Sequence, residues 1–187
     1  MAHHAQSAAR KRELAEAFSD PLAFRAWYEH AVTRVYGYLF PRCGGDIALA
    51  EELTQETFIQ AIDRRSTFEG RSSDITWLCS IARNRLADHY RRLDREERRR
   101  LRLVVREIPA AASEPPVSAV EDREELIAAL RDLPALQRAA VVLCYIDGLS
   151  VHEASNVLDR SESATESLLS RARERLRDIL MERSDGR

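Results

Sequence analysis

Lysine is almost absent from this chain: of 29 Lys and Arg residues only Lys11 is lysine, a bias that coding composition explains as readily as chemistry. With 6 Gly and 6 Pro in 187 residues, collagen-like and linker-dominated chains are excluded. Aromatics make up 6% and β-branched runs are few, which disfavours an all-β sandwich. Three cysteines, Cys43, Cys79 and Cys144, lie far apart without paired spacing, and reduced thiols are expected. Cys79 and Cys144 sit beside Leu78 and Leu143 and read as small hydrophobes. The longest apolar run, Ala139 to Ile146, is far short of the roughly 20 residues a membrane helix needs. The stretch from Met1 to Phe18 is polar and lacks the apolar core of a signal peptide. A cytoplasmic protein without membrane insertion is expected.

Catalytic and metal-binding patterns are missing as well. His3, His4, His30, His89 and His152 share no spacing, there is no phosphate loop, and no cysteine has a histidine nearby in sequence. Glu51, Glu52 and Glu56 lack the Glu-x-x-His partner of a bundle metal site and read instead as an exposed face. The expectation is a protein that is not an enzyme, with no cofactor and no metal.

What is present is charge and helical periodicity. Hydrophobic residues make up 44% and charged residues 32%, enough to bury one ordinary core or two small ones beneath a heavily charged surface. The formal net charge of −2 conceals opposed blocks. Residues 45–63 hold five acids and no Lys or Arg, residues 83–106 hold ten Arg against four acids, and residues 107–136 hold seven acids against two Arg. Such alternation suits a molecule that meets DNA with one face and a protein with another.

Apolar residues recur at three- and four-residue steps over Asp20 to Leu39, until Pro41 and Gly44-Gly45 are expected to end the helix. Asp46 is expected to cap a second helix, with a buried stripe of Ala50, Leu53, Thr57, Phe58, Ala61 and Ile62 and an opposite face of Glu51, Glu52, Gln55 and Glu56. Ser66 to Ser73 reads as a loop, and Asp74 as the cap of a helix that buries Ile75, Leu78, Ile81, Ala82 and Leu86 before running into an arginine-rich tail. Pro109, Pro115 and Pro116 mark a linker. Helical periodicity resumes at Glu121 and is interrupted at Leu133-Pro134 and at Asp147-Gly148. Two more helices are predicted, over about 149–159 and 162–182. The fold class is therefore all-α: two small helical domains joined by a flexible linker.

The last two helices carry the sharpest motif. Ser150 with Glu153, and Ser163 with Glu166, fit the capping-box spacing, Ser161 or Ser163 is expected to cap the second helix, Asp159-Arg160-Ser161 make a tight connection, and Ala154 is small where the helices would cross. This is the pattern of a helix-turn-helix, whose second helix enters the major groove. A plain helical hairpin has the same spacing; the Arg171, Arg173, Arg175, Arg177 series favours DNA. A second motif interleaves Phe68 and Trp77 with Arg83 to Arg92 beside the 66–73 loop, a composition suited to stacking unpaired bases against a basic track. Trp77 in phase with Leu78 and Ile81 equally fits a core residue.

Glu51-Glu52-Leu53-Thr54-Gln55-Glu56-Thr57-Phe58, Thr76-Trp77-Leu78, Ile81-Ala82-Arg83-Asn84-Arg85 and Asp88-His89-Tyr90-Arg91-Arg92 resemble region 2 of bacterial extracytoplasmic-function (ECF) sigma factors. Leu133-Pro134 through Gln137-Arg138, Asp147-Gly148-Leu149-Ser150 and Ser167 to Arg173 resemble their region 4. The resemblance implies region 2 over 14–100, a linker over 101–121, and region 4 over 122–182. It implies that Glu52, Leu53, Gln55, Glu56 and Phe58 dock on core RNA polymerase. Phe68, Arg71, Ser72, Trp77, Arg83, Asn84, Asp88 and Arg92 would hold the melted −10 strand of promoter DNA. Thr165, Glu166, Ser167, Ser170, Arg171 and Arg173 would read the −35 element. Glu166 stands where relatives commonly place a basic residue, and Leu168 where a polar or basic one is common. An anti-sigma factor is an expected further partner. Outside the family, a stand-alone helix-turn-helix regulator or a helical adaptor without DNA contacts would fit the same helices.

Overall fold

The computed structural model describes residues 2–101 and 121–185, and every regular element among them is helical. Those residues form eight α-helices, in order α1 (Ala2–Ala17), α2 (Pro21–Arg42), α3 (Ile47–Arg64), α4 (Asp74–Leu101), α5 (Glu121–Arg131), α6 (Ala135–Val141), α7 (Val151–Leu158) and α8 (Glu162–Asp185). The stretch expected to form the linker, with its three prolines, lies outside the described residues. The chain forms two compact units, one comprising residues up to Pro41 and Ile47–Leu86, the other Arg42–Asp46 and residues from Ala87 onward.

In the first unit, α1 is built from strong helix formers and buries Leu14. Sequence periodicity does not single this helix out, because its apolar residues are mostly alanines that form no stripe. The α2 start is locally encoded: the Asp20 carboxylate accepts from the backbone N–H groups of Leu22 and Ala23 at 3.0 and 2.9 Å, and Pro21, lacking an N–H, occupies the first helical position at no cost. Ala31, Val35 and Leu39, spaced by four, are its buried face. Pro41 does not end this helix, which continues to Arg42. The α3 stripe consists of Ala50, Leu53, Thr54, Thr57, Phe58 and Ala61. The hydroxyls of Thr54 and Thr57 are satisfied within it by donating to the carbonyls of Ala50 (2.6 Å) and Leu53 (2.7 Å), four residues back. Phe18, Phe24, Trp27, Tyr28 and Phe58 form one aromatic cluster, with Tyr28 edge-on to Phe58 at 4.7 Å.

The cap of α4 differs from expectation. Ser73, not Asp74, accepts from the Thr76 N–H, at 3.1 Å. Asp74 is the first helical residue, and its carboxylate instead accepts from Trp27 Nε1 at 2.7 Å, pinning α4 to α2. An acid in the first turn also meets the positive end of the helix dipole.

In the second unit, Leu136, Ala139, Ala140, Val141, Val142 and Leu143 form the centre of the core. After Val141 the chain passes through a π-helical turn, Val142–Ile146, with the Asp147 N–H donating to the Val142 carbonyl at 2.9 Å. Gly148, at φ +71°, then reverses the chain toward α7. In this unit Arg42 pairs with Asp147 at 2.6 Å, and Arg160 with the buried Asp94. In sequence Asp94 reads as part of a solvated face, because nothing local announces a partner 66 residues away.

Candidate functional site

The residues expected to dock a partner fall on opposite sides of α3. Glu52 and Gln55 are exposed and Glu56 is partly so, whereas Leu53 and Phe58 are buried in the core. The two apolar residues therefore hold the helix and offer no surface of their own while the domain is folded. Ile62, assigned by periodicity to the buried stripe, is 37% exposed, and Ile59 is 63% exposed. Positions 52, 55, 59 and 62 succeed one another at three- and four-residue steps and so share a face. That face is a mixed acidic and apolar patch rather than a purely acidic one. The sequence does carry a signal for Ile59: it is out of phase with Ala50, Leu53, Thr57 and Ala61. Beside the patch, Tyr28, Val32, Thr33 and Tyr36 of α2 and Glu51, Thr54 and Gln55 of α3 line an open groove of about 590 Å³.

The loop between α3 and α4 begins with a 3-10 turn, Arg65–Thr67. Phe68 is buried, its ring 5.3 Å from that of the half-buried Trp77, so these two residues are brought together. Arg71 is exposed and pairs with Glu69 at 2.7 Å, and Ser72 is partly buried. Arg83 is partly buried and Asn84 exposed, farther along α4. Asp88 and Arg92 continue along the same helix in the second unit, with Asp88 paired to Arg91 and Arg92 close to His89 Nδ1 at 3.3 Å. Four-residue spacing puts Asp88 and Arg92 on one stripe of the part of α4 that belongs to the second unit. The loop thus carries an exposed cation, a partly buried hydroxyl and a buried phenylalanine in contact with Trp77.

The helix-turn-helix is built at α7 as its sequence predicts, and at α8 the structure chooses between the two serines expected as caps. At α7 the capping box is complete: Ser150 Oγ accepts from the Glu153 N–H at 3.2 Å, and Glu153 Oε2 accepts from the Ser150 N–H at 2.8 Å. At α8 the cap is Ser161, whose Oγ accepts from the Ala164 N–H at 3.2 Å; Ser163 lies inside the helix, its carbonyl accepting from the Ser167 hydroxyl. The connection turns at Asp159, at φ 55°, a left-handed position that Asp tolerates better than most residues. Ala154 is fully buried, as the crossing requires.

On α8, Thr165, Leu169 and Ala172 are buried. Thr165 donates its hydroxyl to the Ser161 carbonyl at 3.1 Å and has no exposed surface, so this expected base reader is a core residue. Glu166, Ser167 and Arg171 are exposed, while Ser170 and Arg173 are partly so. The Arg171 Nε–H donates to the Ser167 carbonyl at 3.1 Å, laying that guanidinium along the helix. One contact carries no sequence signal: His152 Nδ1 lies 2.8 Å from Glu162 Oε1, joining the two helices at the head of α8.

Burial pushes the Cys43 thiol up to about 12, against the opposing pull of Arg138. Burial likewise raises the Tyr90 hydroxyl, which donates to the Arg42 carbonyl at 2.8 Å, and the Cys144 thiol. Among the described residues no His, Cys, Asp and Glu cluster could hold a metal ion, and no helix is long and apolar enough to cross a membrane.

Comparison with known proteins gives these features a family. Residues 23–96 match the sigma-70 region 2 model and residues 123–176 the sigma-70 region 4 model. The chain is 36% identical over 156 residues to the ECF RNA polymerase sigma factor BldN of Streptomyces coelicolor, covering 80% of this chain and 57% of that protein. It is 33% identical over 152 residues to the ECF RNA polymerase sigma factor SigM of Bacillus subtilis, covering 81% of this chain and 91% of the relative. Among solved structures, the sigma factor RpoE of Bartonella quintana, in complex with the anti-sigma factor NepR, aligns with a TM-score of 0.50 and 25% identity over 84% of this chain and 96% of that one. With both regions matched in order, and relatives above 30% identity aligned over most of their length, the chain belongs to the ECF sigma factors, the RNA polymerase subunits that direct promoter recognition and transcription initiation.

Proposed function

We propose that this chain loads onto core RNA polymerase through the exposed face of α3, with Glu52, Gln55 and Glu56 supplying charge and Ile59 and Ile62 supplying apolar contact. The observation that carries this reading is the exposure of two isoleucines between carboxylates. Two isoleucines exposed on one helix face among carboxylates suit a protein partner that brings basic and apolar groups. The 68–73 loop, with Trp77, Arg83 and Asn84, and with Asp88 and Arg92 farther along α4, meets the melted −10 strand. Phe68, buried against Trp77, supports the loop from the core. Glu166, Ser167, Ser170, Arg171 and Arg173 on the first turns of α8 face the −35 duplex: Arg171 can pair guanine or phosphate, and Glu166 can accept from a cytosine amino group.

The chain contributes no catalysis in this reading. It positions DNA for the polymerase, acts in the cytoplasm, and is held inactive by an anti-sigma factor, a partnership that RpoE of Bartonella quintana forms with NepR. The test is a pull-down with core polymerase. Replacing Gln55 and Glu56 together by Lys should weaken retention while circular dichroism stays unchanged; full retention with the fold intact refutes the docking assignment.

A further inference from the structure

Helix α1 makes none of the contacts assigned to polymerase or DNA, yet it holds the loop given to the melted strand. The Ser7 hydroxyl donates to the Glu69 carbonyl at 2.6 Å. The neighbouring Gly70 is at φ +71°, and a Cβ there would stand 2.0 Å from the Ser7 carbonyl oxygen and 3.1 Å from the Lys11 backbone nitrogen. No side chain fits at position 70 while α1 stays in place, for reasons of both conformation and space. Farther along α1, the buried Leu14 shares one notch, of about 330 Å³, with Phe18, Arg65 and Phe68. It shares another, of about 280 Å³, with Trp27, Ser73 and Asp74. α1 therefore meets the loop at its start, its glycine and its end. Because the Glu69 carboxylate also pairs with Arg71 at 2.7 Å, the backbone that Ser7 fixes is the one that aims Arg71.

We propose that α1 is a positioning element for DNA reading: Ser7, and the close approach at Gly70, hold the 68–73 loop in the conformation in which Arg71 and Ser72 meet single-stranded DNA, and so set base preference there. This rests on assigning that loop to the melted strand. A loop ordered before binding loses less conformational entropy when DNA arrives, and presents its cation and hydroxyl in one geometry rather than many.

The test uses the full chain assembled with core polymerase and a fork-junction DNA whose non-template strand is unpaired across the −10 element. Ser7→Ala should weaken fork binding roughly two- to tenfold, the size of one neutral hydrogen bond. Gly70→Ala should weaken it more. Both should reorder affinities across single-base −10 variants and raise amide exchange in residues 69–72, with core-polymerase affinity unchanged. Ser7→Thr, which keeps the hydroxyl, should restore the wild-type ranking. Unchanged fork affinity and ranking in both Ser7→Ala and Gly70→Ala overturns the proposal, as does an equal loss of core affinity, which would mark a general loss of structure. Arg71→Ala separates the two levels: if it has no effect on fork binding, the assignment of the loop itself fails, whereas if it weakens binding and the α1 variants do not, only the positioning role fails.

Discussion

Replacing Ser150 by Ala removes two interactions of one residue: the bond its Oγ accepts from the Glu153 N–H at 3.2 Å and the one its hydroxyl donates to Glu153 Oε2 at 2.7 Å. Glu153 keeps its bond from the Ser150 backbone N–H at 2.8 Å, so the carboxylate stays partnered and the loss is that of one cap. Caps of this kind contribute about 1 kcal/mol, within a range of roughly 0.5–2. The eight residues of α7 cannot sustain a helix without tertiary packing, so the loss should appear as easier local opening of this element. At about 1.4 kcal/mol per factor of ten, it corresponds to about a fivefold faster exchange of the protected amides in 153–158. Native-state hydrogen exchange on the intact chain reads this directly, and exchange in α3 should stay unchanged. Ser161→Ala should have a similar effect on the first turn of α8, because Ser161 is the observed cap. Ser163→Ala should stay within about 0.5 kcal/mol, although its spacing to Glu166 also fits a capping box. Equal acceleration at α8 from Ser161→Ala and Ser163→Ala, or none at α7 from Ser150→Ala, would refute the reasoning.

Leu53→Ala should cost about 2–5 kcal/mol in urea unfolding, since the side chain is fully buried, while Glu52→Ala on the opposite face should stay within about 0.5 kcal/mol yet lower core-polymerase retention. Trp27→Phe should cost about 1–3 kcal/mol by leaving the half-buried Asp74 carboxylate without its 2.7 Å donor, measured as a lower urea midpoint. Cys43 should resist iodoacetamide at pH 8 in the folded protein and label at the ordinary rate in urea. Because burial raises this thiol from 9.0 to about 12, the fold favours its protonated form, so the associated stability is whole below pH 9 and is lost as pH rises from 9 toward about 12. Cys43→Ala should accordingly flatten the alkaline fall in stability, and an unchanged slope would count against the burial.

Much of this architecture is legible because it is encoded locally. The Ser150 capping box, the α2 stripe of Ala31, Val35 and Leu39, and the small Ala154 at the helix crossing all follow from spacings of three and four residues. What escapes is decided by tertiary partners. Asp74 looks like a cap until Trp27, 47 residues away, takes its carboxylate. Asp94 looks solvated until Arg160 pairs with it. Thr165 has the polarity of a base reader, but its hydroxyl is satisfied by its own helix and it can be buried. Leu53 and Phe58 fall among the residues that the family resemblance assigns to docking, but that stretch spans both faces of α3, and only burial separates its core residues from its exposed ones.

The most direct test of the central claim is multi-round transcription with purified core polymerase on a library of promoter fragments, with and without this chain. Initiation should begin at discrete start sites only when the chain is present, and should be lost with the Gln55 and Glu56 to Lys double variant. Tight, sequence-specific binding to duplex DNA by the chain alone, together with no chain-dependent transcripts, would contradict the account and identify a stand-alone DNA-binding regulator.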